Sequence, residues 1–318
     1  MRKSISKIAI SDDFMSALFD YLDYCHSRNL SPNTIGYYRD RISLFFGYCQ
    51  KMKINRLADI TPAVVRAYIS YSLNKGYSDK TTNHGVIALK VFFHFLMDEE
   101  RIATSPTDRI KPIKMERKII QTFGKEHVEA MLARCDRRTF IGIRNYTLMI
   151  IFLDTGLRVS EVCGLRLSDV DWSNCLLMVL GKGGKQRLVP FGQSLRGILL
   201  EYVARRGEID NEDHLFLNQY ADPLSRRVVL ATFHRIGKAA GVNGVRVSPH
   251  TFRHTFAKNW ILSGGDSFSL QRILGHTTQQ MVSQYVNLAV EDLQVQHSKF
   301  SFADHLVKPV AQKKILLK

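Results

Sequence analysis

The first hundred residues carry four helix-start signals, and this pattern restricts the fold of that part of the chain more than any other feature. The signals are Ser11 with Asp12 and Asp13, then Ser31-Pro32, Thr61-Pro62 and Ser78-Asp79. Hydroxyl side chains cap the free N–H groups of a first helical turn, and proline fits there because its missing N–H would have no partner. Apolar residues follow at helical spacing, at Ile35, Tyr38, Ile42, Phe45, Phe46 and Cys49, and again at Val86, Leu89, Phe93 and Leu96. The sequence therefore predicts a helical bundle here.

From about residue 121 the pattern becomes mixed. Helical periodicity recurs near residues 125–135, 139–154, 159–166, 193–206, 226–240, 249–263, 267–274 and 279–288. In the stretch LLMVLGKGGKQRLVPF two apolar strands flank a Gly-Gly turn, which predicts a hairpin. The expected fold class is mainly α with a small antiparallel β-sheet, in which an N-terminal helical bundle precedes a mixed α/β domain.

A basic, proline-containing stretch separates the two parts. Residues 105–119 are SPTDRIKPIKMERKI, with two prolines and five basic residues against two acids, which predicts an extended linker. Such a linker either lies along a nucleic-acid duplex or is a solvated connector. The expected organisation is a helical domain at residues 1–105, a linker at 106–120, a second domain at 121–300 and a tail at 301–318.

The chain is strongly basic. It has 45 Lys and Arg against 29 Asp and Glu among 318 residues, a formal net charge of +16. A positive field of this size attracts polyanions, above all nucleic acid. A basic protein without such a partner is the alternative interpretation. The length suits two domains of ordinary size.

Five cysteines lie far apart, at Cys25, Cys49, Cys135, Cys163 and Cys175, and no two form a Cys-x-x-Cys pair. This pattern favours reduced thiols in a cytoplasmic protein over a zinc site or a disulfide framework. The apolar runs are much shorter than the roughly 18 residues of a membrane span, and the N-terminal MRKSISKIAISDD lacks the apolar stretch of a signal peptide. No membrane association is expected.

The outward faces of the predicted bundle carry basic, aromatic and polar residues. They include Tyr37, Arg39, Arg41, Lys80, Thr81, Thr82, Asn83, His84 and Lys90. Side chains of these types bind the phosphates and sugars of DNA. An ordinary solvated helix face has a similar composition, so this pattern alone leaves both interpretations open.

The stretch SPHTFRHTFAKNW, residues 248–260, predicts a helix with a polar face and an apolar one. His250, Arg253 and His254 are spaced i, i+3, i+4 and share one face. The apolar stripe on another face consists of Phe252, Phe256 and Trp260. A zinc-protease helix needs His-Glu-x-x-His, but here no carboxylate separates the histidines and a guanidinium would repel a divalent cation, so no metal is expected. His254 is interpreted as a satisfied surface or core histidine.

Arginine instead indicates a phosphate, which its guanidinium binds bidentately. Arg158 lies in the turn of DTGLRVSEVCGLRLSD, and Lys182 lies at the hairpin tip in GKGGKQR. This glycine-rich turn lacks the Gly-Lys-Ser/Thr of a nucleotide-binding P-loop. In LQRILGHTTQQMVSQYVNL a helix ends at Gly275, His276 occupies the turn, and the next helix carries Tyr285.

Taken together, TGLRVSE, GKGGKQRLVP, HTFRHTFA, LGH and a tyrosine nine positions past that histidine resemble the tyrosine recombinase (phage integrase) family, over about residues 11–300. The resemblance implies a core-binding domain that clamps DNA, followed by a catalytic domain. It also implies that the scissile phosphate is surrounded by Arg158, Lys182, His250, Arg253 and His276, with Tyr285 as the nucleophile. Glu161 is expected to support Arg158 from behind. No cofactor is implied.

The resemblance also implies a substrate and an assembly. The substrate is double-stranded DNA with a specific recombination site, and the assembly is a homotetramer on paired sites or a mixed one with a related recombinase. The tail either docks on a neighbouring protomer or is a disordered basic end. A type IB topoisomerase and a DNA-binding module that has lost catalysis are the competing functions. Chromosome-dimer resolution by a Xer-like enzyme, phage integration and transposition all stay open.

Overall fold

A computed structural model describes residues 11–114, 121–181, 184–276, 297–299, 301 and 303. The chain forms two compact units, Met1–Lys118 and Ile119–Lys318. Among the described residues no helix is long and apolar enough to cross a membrane. The parts of the sequence prediction that fall outside the described residues are residues 115–120 of the linker, Lys182, Tyr285, the helix at 279–288 and nearly all of the tail.

Within residues 11–114 the first unit is a bundle of four α-helices. They are α1 Asp12–Ser27, α2 Pro32–Lys51, α3 Pro62–Asn74 and α4 Asp79–Asp98, with a short 3₁₀ helix at Leu57–Asp59. The side chains of Ser31, Thr61 and Ser78 accept N–H bonds at the starts of α2, α3 and α4. Ser11 caps no N–H group, and its hydroxyl instead donates to the Asn55 carbonyl at 2.8 Å. The predicted helix starts are confirmed.

Aromatic side chains fill the core of the first unit. Phe14, Phe45, Phe46, Phe92 and Phe93 have no exposed surface, and the rings of Phe14 and Phe46 stack with their centroids 4.3 Å apart. Burial of one phenylalanine side chain contributes about 1.5–3 kcal/mol, so these rings drive the folding of the bundle. The predicted inward positions of α4 are all buried, at Val86, Leu89, Phe93 and Leu96.

Two residues predicted to face outward, Thr82 and Asn83, are buried instead. Thr82 lies four residues before Val86 and therefore on the same face of α4, which packs against the core. The amide of Asn83 binds the main chain of Ile113: its Nδ2 donates to the Ile113 carbonyl at 2.9 Å, and its Oδ1 accepts from the Ile113 N–H at 2.8 Å. Neither side chain is available to DNA, so both leave the candidate set.

The hydrogen bonds between Asn83 and Ile113 are part of a larger contact, in which the segment after α4 packs against the bundle. Pro106, Thr107 and Ile110 are buried, and Ile110 is part of the apolar core of the first unit. The hydroxyl of Ser105 accepts the Thr107 N–H at 3.2 Å. Residues up to about Ile113 are therefore built into the first unit, although the sequence predicts an extended linker from residue 106.

The second unit is mixed, as predicted. Its described helices are α5 Lys125–Leu132, α6 Phe140–Thr155, α7 Val159–Gly164, α8 Gln193–Arg206, α9 Arg226–Ala239, α10 Pro249–Leu262 and α11 Ser267–Leu274. The described strands form one antiparallel sheet in the order β1 Val170–Asp171, β2 Leu176–Leu180 and β3 Gln186–Pro190. β2 and β3 are the predicted hairpin. The two-residue β1 is not predicted, because so short a strand has no measurable alternation.

Helices α6 and α10 pack together in the core of this unit. Phe152 of α6, Phe233 of α9 and Phe252 of α10 have no exposed surface. The ring centroids of Phe233 lie 5.7 Å from Phe152 and 5.0 Å from Phe252. Farther along α10, Phe256 is buried and Trp260 packs partly buried against the same core. The predicted apolar stripe is confirmed, and it holds the polar face of α10 in a constant position.

Candidate active site

The turn TGLRVSE joins α6 to α7 and presents Arg158. Helix α6 ends at Thr155, and Gly156 follows it in the left-handed conformation at φ +61°. A Cβ added at Gly156 would lie 2.3 Å from a ring carbon of Phe256, so both the backbone and the available space require glycine. The chain then turns, and Arg158 becomes the N-cap residue of α7.

Arg158 is held by Glu161, which lies one turn into α7. The Arg158 N–H donates to Glu161 Oε2 at 2.8 Å, and Arg158 Nη1 donates to Oε1 at 2.9 Å. Arg158 Nη2 donates to the carbonyl of Gly275 at 3.2 Å. The Arg158 side chain keeps 36% of its surface exposed, whereas Glu161 keeps 4%. Glu161 therefore orients a guanidinium that solvent, or an anion, still reaches.

The Glu161 carboxylate also binds a second arginine, Arg187, which sequence reasoning did not single out. Arg187 lies on β3 and donates from Nη1 to Glu161 Oε1 at 2.9 Å and from Nη2 to Oε2 at 3.0 Å. Its Nε donates to the Ile273 carbonyl at 2.9 Å. Strand alternation was the available signal, because Arg187 stands two residues before the buried Val189 and so faces the same side of the sheet.

The electrostatics of Glu161 follow from these contacts. Burial alone would raise the pKa of its carboxyl group. The hydrogen bonds from Arg187 and from the Arg158 N–H outweigh burial, and the pKa of Glu161 lies below its ordinary value. Glu161 is therefore ionised at neutral pH and places one negative charge between two guanidinium groups.

Arg253, on α10, is buried with 3% of its surface exposed. Its Nη1 donates to the Gly156 carbonyl at 2.7 Å, and its Nη2 donates to the Leu274 carbonyl at 2.9 Å. These carbonyls stand at the C-terminal ends of α6 and α11, where carbonyl groups lack partners within the helix. The negative ends of two helix dipoles thus surround the guanidinium and stabilise its charge.

His276 follows the C-terminal turn of α11, where Gly275 is left-handed at φ +63°. Its Nε2 lies 2.7 Å from Arg253 Nη2. A guanidinium only donates, so Nε2 is the acceptor and the neutral ring carries its proton on Nδ1. Burial first, and then the positive charges of Arg253 and Arg158, lower the pKa of His276 to about 4. The ring is therefore neutral at pH 7 in the free protein.

His250 and His254 lie one turn apart on α10, with their Nε2 atoms 2.9 Å apart. One nitrogen donates and the other accepts, so this bond holds a single proton. His250 is exposed, whereas His254 is buried. Burial first, and then His250 and Arg253, lower the pKa of His254 to about 4. His254 is a core histidine, one of the two predicted possibilities. Its hydrogen bond also orients the ring of His250, which the sequence did not reveal.

Three of the predicted residues, Arg158, Arg253 and His276, meet at the C-terminal end of α11, and we call them the arginine–histidine cluster. Successive carbonyls of that end bind the two arginines, and His276 is the next residue along. His250 lies three residues before Arg253 on α10. Within the described residues, no group of three or more His, Cys, Asp and Glu side chains is arranged to hold a metal ion.

Comparison with protein families decides what this cluster belongs to. The model of the phage integrase family matches residues 121–292, and the model of the phage integrase N-terminal SAM-like domain matches residues 18–100. The first match spans more than half of the chain and contains the whole arginine–histidine cluster. The chain belongs to the phage integrase family. Members of this family are tyrosine recombinases, enzymes that cleave and rejoin DNA strands.

Individual tyrosine recombinases match over nearly their full length. XerC of Anoxybacillus flavithermus is 31% identical over 285 residues, which cover 88% of this chain and 94% of XerC. XerD of Pseudomonas putida is 31% identical over 295 residues, which cover 91% and 95%. The solved structure of the Tn1549 transposon integrase in complex with transposon right end DNA has a TM-score of 0.73 over 91% of this chain and 99% of that chain, at 20% identity. That structure shares the fold.

In the first unit of this tyrosine recombinase, part of the predicted DNA-binding set comes together where α2 meets α4. Tyr37 Oη donates to the His84 carbonyl at 2.6 Å, and the two rings meet edge to face. The guanidinium carbon of Arg41 lies 5.8 Å from the centroid of the Tyr37 ring. Two helices thus present an arginine, a tyrosine and a histidine on one surface.

The other members of the predicted set differ in their surroundings. Arg39 and Lys80 are exposed, and Arg39 forms an ion pair with Asp40 at 3.1 Å. Thr81 and Lys90 are half-buried, and the Thr81 hydroxyl bonds the capping hydroxyl of Ser78 at 2.9 Å. Thr81 thus contributes to the start of α4 whether or not it contacts DNA.

Proposed function

We propose that this tyrosine recombinase cuts one DNA strand at a specific recombination site by attack of Tyr285 on the scissile phosphate, and then joins the strand to a new 5′ end. The observation that carries this proposal is the convergence of Arg158, Arg253 and His276 at the end of α11. Two guanidinium groups and an imidazole at one point form a site for an anion.

The reaction requires such an anion site. A phosphodiester carries one negative charge and gains more as the pentacoordinate transition state forms. In our proposal Arg158, Arg253 and His276 meet the non-bridging oxygens and stabilise that charge. The bonds of Arg253 to two helix ends and of Arg158 to Glu161 support this role, because they orient both guanidinium groups before the DNA arrives.

Tyr285 must lose its proton to attack the phosphorus. A free tyrosine has a pKa of about 10, so only roughly one in a thousand is ionised at neutral pH. Removing that barrier lowers the activation free energy by about 4 kcal/mol at most, which is within reach of a nearby general base. We assign this role to His250. The neutral, buried His254 supports the assignment because it orients the His250 ring.

The departing 5′ oxygen needs a proton, and we assign its delivery to Lys182, which lies between β2 and β3 in the sequence. Attack by Tyr285 forms the bond between the tyrosine oxygen and phosphorus and breaks the bond to the 5′ oxygen, which leaves a 3′-phosphotyrosine. The energy of the phosphodiester is kept in that covalent link. A 5′ hydroxyl from the partner strand reverses the attack, so neither ATP nor a cofactor is needed.

Recognition of the site requires more of the chain than its catalytic residues. The net charge of +16 and the surface formed by Tyr37, Arg41 and His84 support binding of both units to the DNA backbone. Strand exchange joins two cut duplexes, so in this proposal four protomers act on paired sites in the cytoplasm, either as a homotetramer or together with a related recombinase.

The test is a duplex that contains the recombination site and a nick next to the cleavage position. After cleavage a short fragment diffuses away, religation fails and the covalent adduct accumulates. The wild-type protein is expected to carry DNA through a 3′ phosphate on Tyr285, mapped by mass spectrometry, and to release a free 5′ hydroxyl. Tyr285→Phe removes only the hydroxyl, so it is expected to bind the same DNA with unchanged affinity and to form no adduct.

Three outcomes contradict the mechanism: a linkage to a 5′ phosphate, an adduct on another residue, or full cleavage by Tyr285→Phe. A supercoiled plasmid without the recombination site separates the main competing function. A type IB topoisomerase relaxes it as a monomer, whereas the recombinase is expected to leave it supercoiled.

A further inference from the structure

Arg187 connects parts of the second unit that are far apart in the chain. It donates two parallel hydrogen bonds to Glu161, the partner of Arg158, and one to the Ile273 carbonyl near the end of α11. Its side chain is 15% exposed. It also packs against Gly275, where an added Cβ would lie 3.0 Å from the guanidinium carbon. Arg187 therefore contacts both the carboxylate that holds Arg158 and the end of α11, where the arginine–histidine cluster lies.

The net charge of Arg158, Glu161 and their surroundings depends on this second arginine. Glu161 with Arg158 alone would form a neutral pair, and a neutral pair attracts a phosphate weakly. Arg187 donates to both carboxylate oxygens, so two positive charges and one negative leave a net +1 on the three groups. Because Glu161 and Arg187 are largely shielded from water, that charge acts on a bound anion more strongly than it would in solution.

The geometry of Arg187 matters as well as its charge. A guanidinium binds a carboxylate through two parallel bonds only when the two planes are aligned, so Arg187 sets the plane of Glu161. Arg158 uses both its backbone N–H and its Nη1 on that same carboxylate. A rotation of the Glu161 carboxylate would therefore also turn the Arg158 guanidinium away from its present direction.

We propose that Arg187 is a positioning residue for strand cleavage: it offsets the charge of Glu161, so that Arg158 keeps its positive charge for the scissile phosphate. This inference rests on the role of Arg158 proposed above. It is supported by the surroundings of Glu161, where burial acts to raise the pKa and Arg187 is the strongest of the contacts that lower it.

The first test variant is Arg187→Met, which keeps a long side chain in place and removes its charge. The readout is the single-turnover rate of adduct formation on the nicked duplex, with the protein in excess so that binding does not limit the rate. Cleavage is expected to slow by about 10- to 100-fold, the usual effect of removing a group that orients a reacting one. DNA affinity is expected to stay within about twofold, because Arg187 does not face the duplex backbone in this proposal.

The deciding variant is Glu161→Gln, tested alone and in combination with Arg187→Met. Alone it is expected to slow cleavage, because Arg158 loses its anchor. Combined with Arg187→Met it removes the negative charge that would otherwise neutralise Arg158, so cleavage is expected to recover by about tenfold relative to Arg187→Met, a coupling between neighbours that additive effects exclude. A purely structural role for Arg187 predicts that the two losses add. A double variant that cleaves no faster than Arg187→Met therefore overturns the proposal.

The matched control is Arg137→Met, which removes another arginine of the second unit from an ion pair, with Glu201, at the surface. Its cleavage rate is expected to equal that of the wild type. Arg187→Lys serves if Arg187→Met does not fold: it keeps the charge but loses the planar fork, and it is expected to cleave at an intermediate rate. A wild-type rate for Arg187→Met overturns the inference, whereas a wild-type rate for Arg187→Lys supports the charge effect and overturns only the contribution of the planar fork.

Wild type and Tyr285→Phe are measured alongside every variant. They distinguish a failure of the proposed function from a failure of the role proposed for Arg187. If the wild type forms no adduct on Tyr285, the proposed function itself fails, whatever Arg187 does. If the wild type reacts, Tyr285→Phe does not, and Arg187→Met reacts as fast as the wild type, only the role of Arg187 is wrong.

Discussion

Within residues 11–114 no charged or imidazole side chain is buried, whereas the described part of the second unit buries several. Those of the second unit are Arg144, Glu161, Arg206, Arg253, His254 and His276. The first unit folds on an aromatic core, with its ion pairs at the surface. Since a helical bundle folds without burying charge, the buried charges of the second unit need another explanation.

The two units also differ in the energetics of their charged groups. An exposed pair such as Arg56 with Asp59, 2.8 Å apart, contributes little because water screens it. A buried charge costs several kcal/mol to desolvate unless hydrogen bonds and partners offset that cost. Arg253 meets this condition through helix-end carbonyls and Glu161 meets it through two arginines. The second unit therefore accepts a folding cost in order to hold charge in a constant place.

Burial by itself does not mark the active site. Arg206 is buried too, and its guanidinium donates to the carbonyls of Gly207, Glu212 and His214. It thus holds the loop after α8. What distinguishes Arg253 is the neighbouring Arg158, whose side chain is both anchored and partly exposed. A buried charge becomes a candidate catalytic group where it adjoins an accessible one.

The largest expected effect is that of salt on DNA binding, and it compares the two units directly. If about eight phosphates are neutralised, log affinity falls with log salt at a slope near −7, about 10⁴-fold between 50 and 200 mM. Removing residues 1–118 is expected to lower the slope by roughly half, because the first unit supplies part of the phosphate contacts. Titration of labelled duplex at several salt concentrations measures both slopes. An unchanged slope after truncation would assign the whole DNA contact to the second unit.

Next in size is the effect of replacing a buried arginine by lysine. Arg253→Lys leaves a helix-end carbonyl without its donor, and cleavage is expected to fall by about 10²- to 10³-fold, as when one transition-state donor is lost. The control is Arg56→Lys in the first unit, whose exposed ion pair predicts an unchanged rate and an unchanged melting temperature. Both variants are compared with the wild type by their single-turnover cleavage rates and their thermal unfolding. Equal effects of the two variants would remove the distinction between the units.

Acid is expected to destabilise the second unit through His254 and His276. Both have a folded pKa of about 4, below the ordinary value of about 6.5. The unfolded state therefore binds more protons between these values, and stability falls as the pH falls from about 6.5 toward 4. Together the two groups predict a loss of about 2 kcal/mol between pH 7 and pH 5.5.

Urea unfolding followed by tryptophan fluorescence measures this loss in the second unit alone, because both tryptophans, Trp172 and Trp260, belong to it. Replacing His276 by Asn is expected to remove about half of the pH dependence. Retention of the full dependence in that variant would show that other groups titrate.

The smallest expected effect is that of a chelator. The proposed chemistry meets the phosphate charge with arginine and histidine, so excess EDTA is expected to leave the single-turnover cleavage rate unchanged within about twofold. A second arm measures DNA affinity at constant ionic strength, since magnesium competes for phosphates and its removal affects binding. A strict magnesium requirement for the chemical step would contradict the mechanism.

Much of this protein could be predicted from its sequence, because the signals are local. Ser31, Thr61 and Ser78 start their helices through contacts within three residues, and the apolar stripe of α10 follows from helical spacing. The motifs around Arg158 and Arg253 indicate the family, which the comparisons confirm. The catalytic roles of all six residues stay predictions, for Arg158, Lys182, His250, Arg253, His276 and Tyr285 alike.

Only the tertiary structure decided how the charges are held. Arg158 binds a carbonyl 117 residues away, and Arg253 binds one 97 residues away, so no local pattern reveals either partner. Arg187 was missed because one inward arginine on a short strand has no distinctive spacing. Thr82 and Asn83 were predicted to face outward because polar residues usually do. Sequence determines where helices begin and end, since caps and periodicity act over a few residues. Which helix ends then meet depends on packing across the whole unit, and that packing turns three separate motifs into one site.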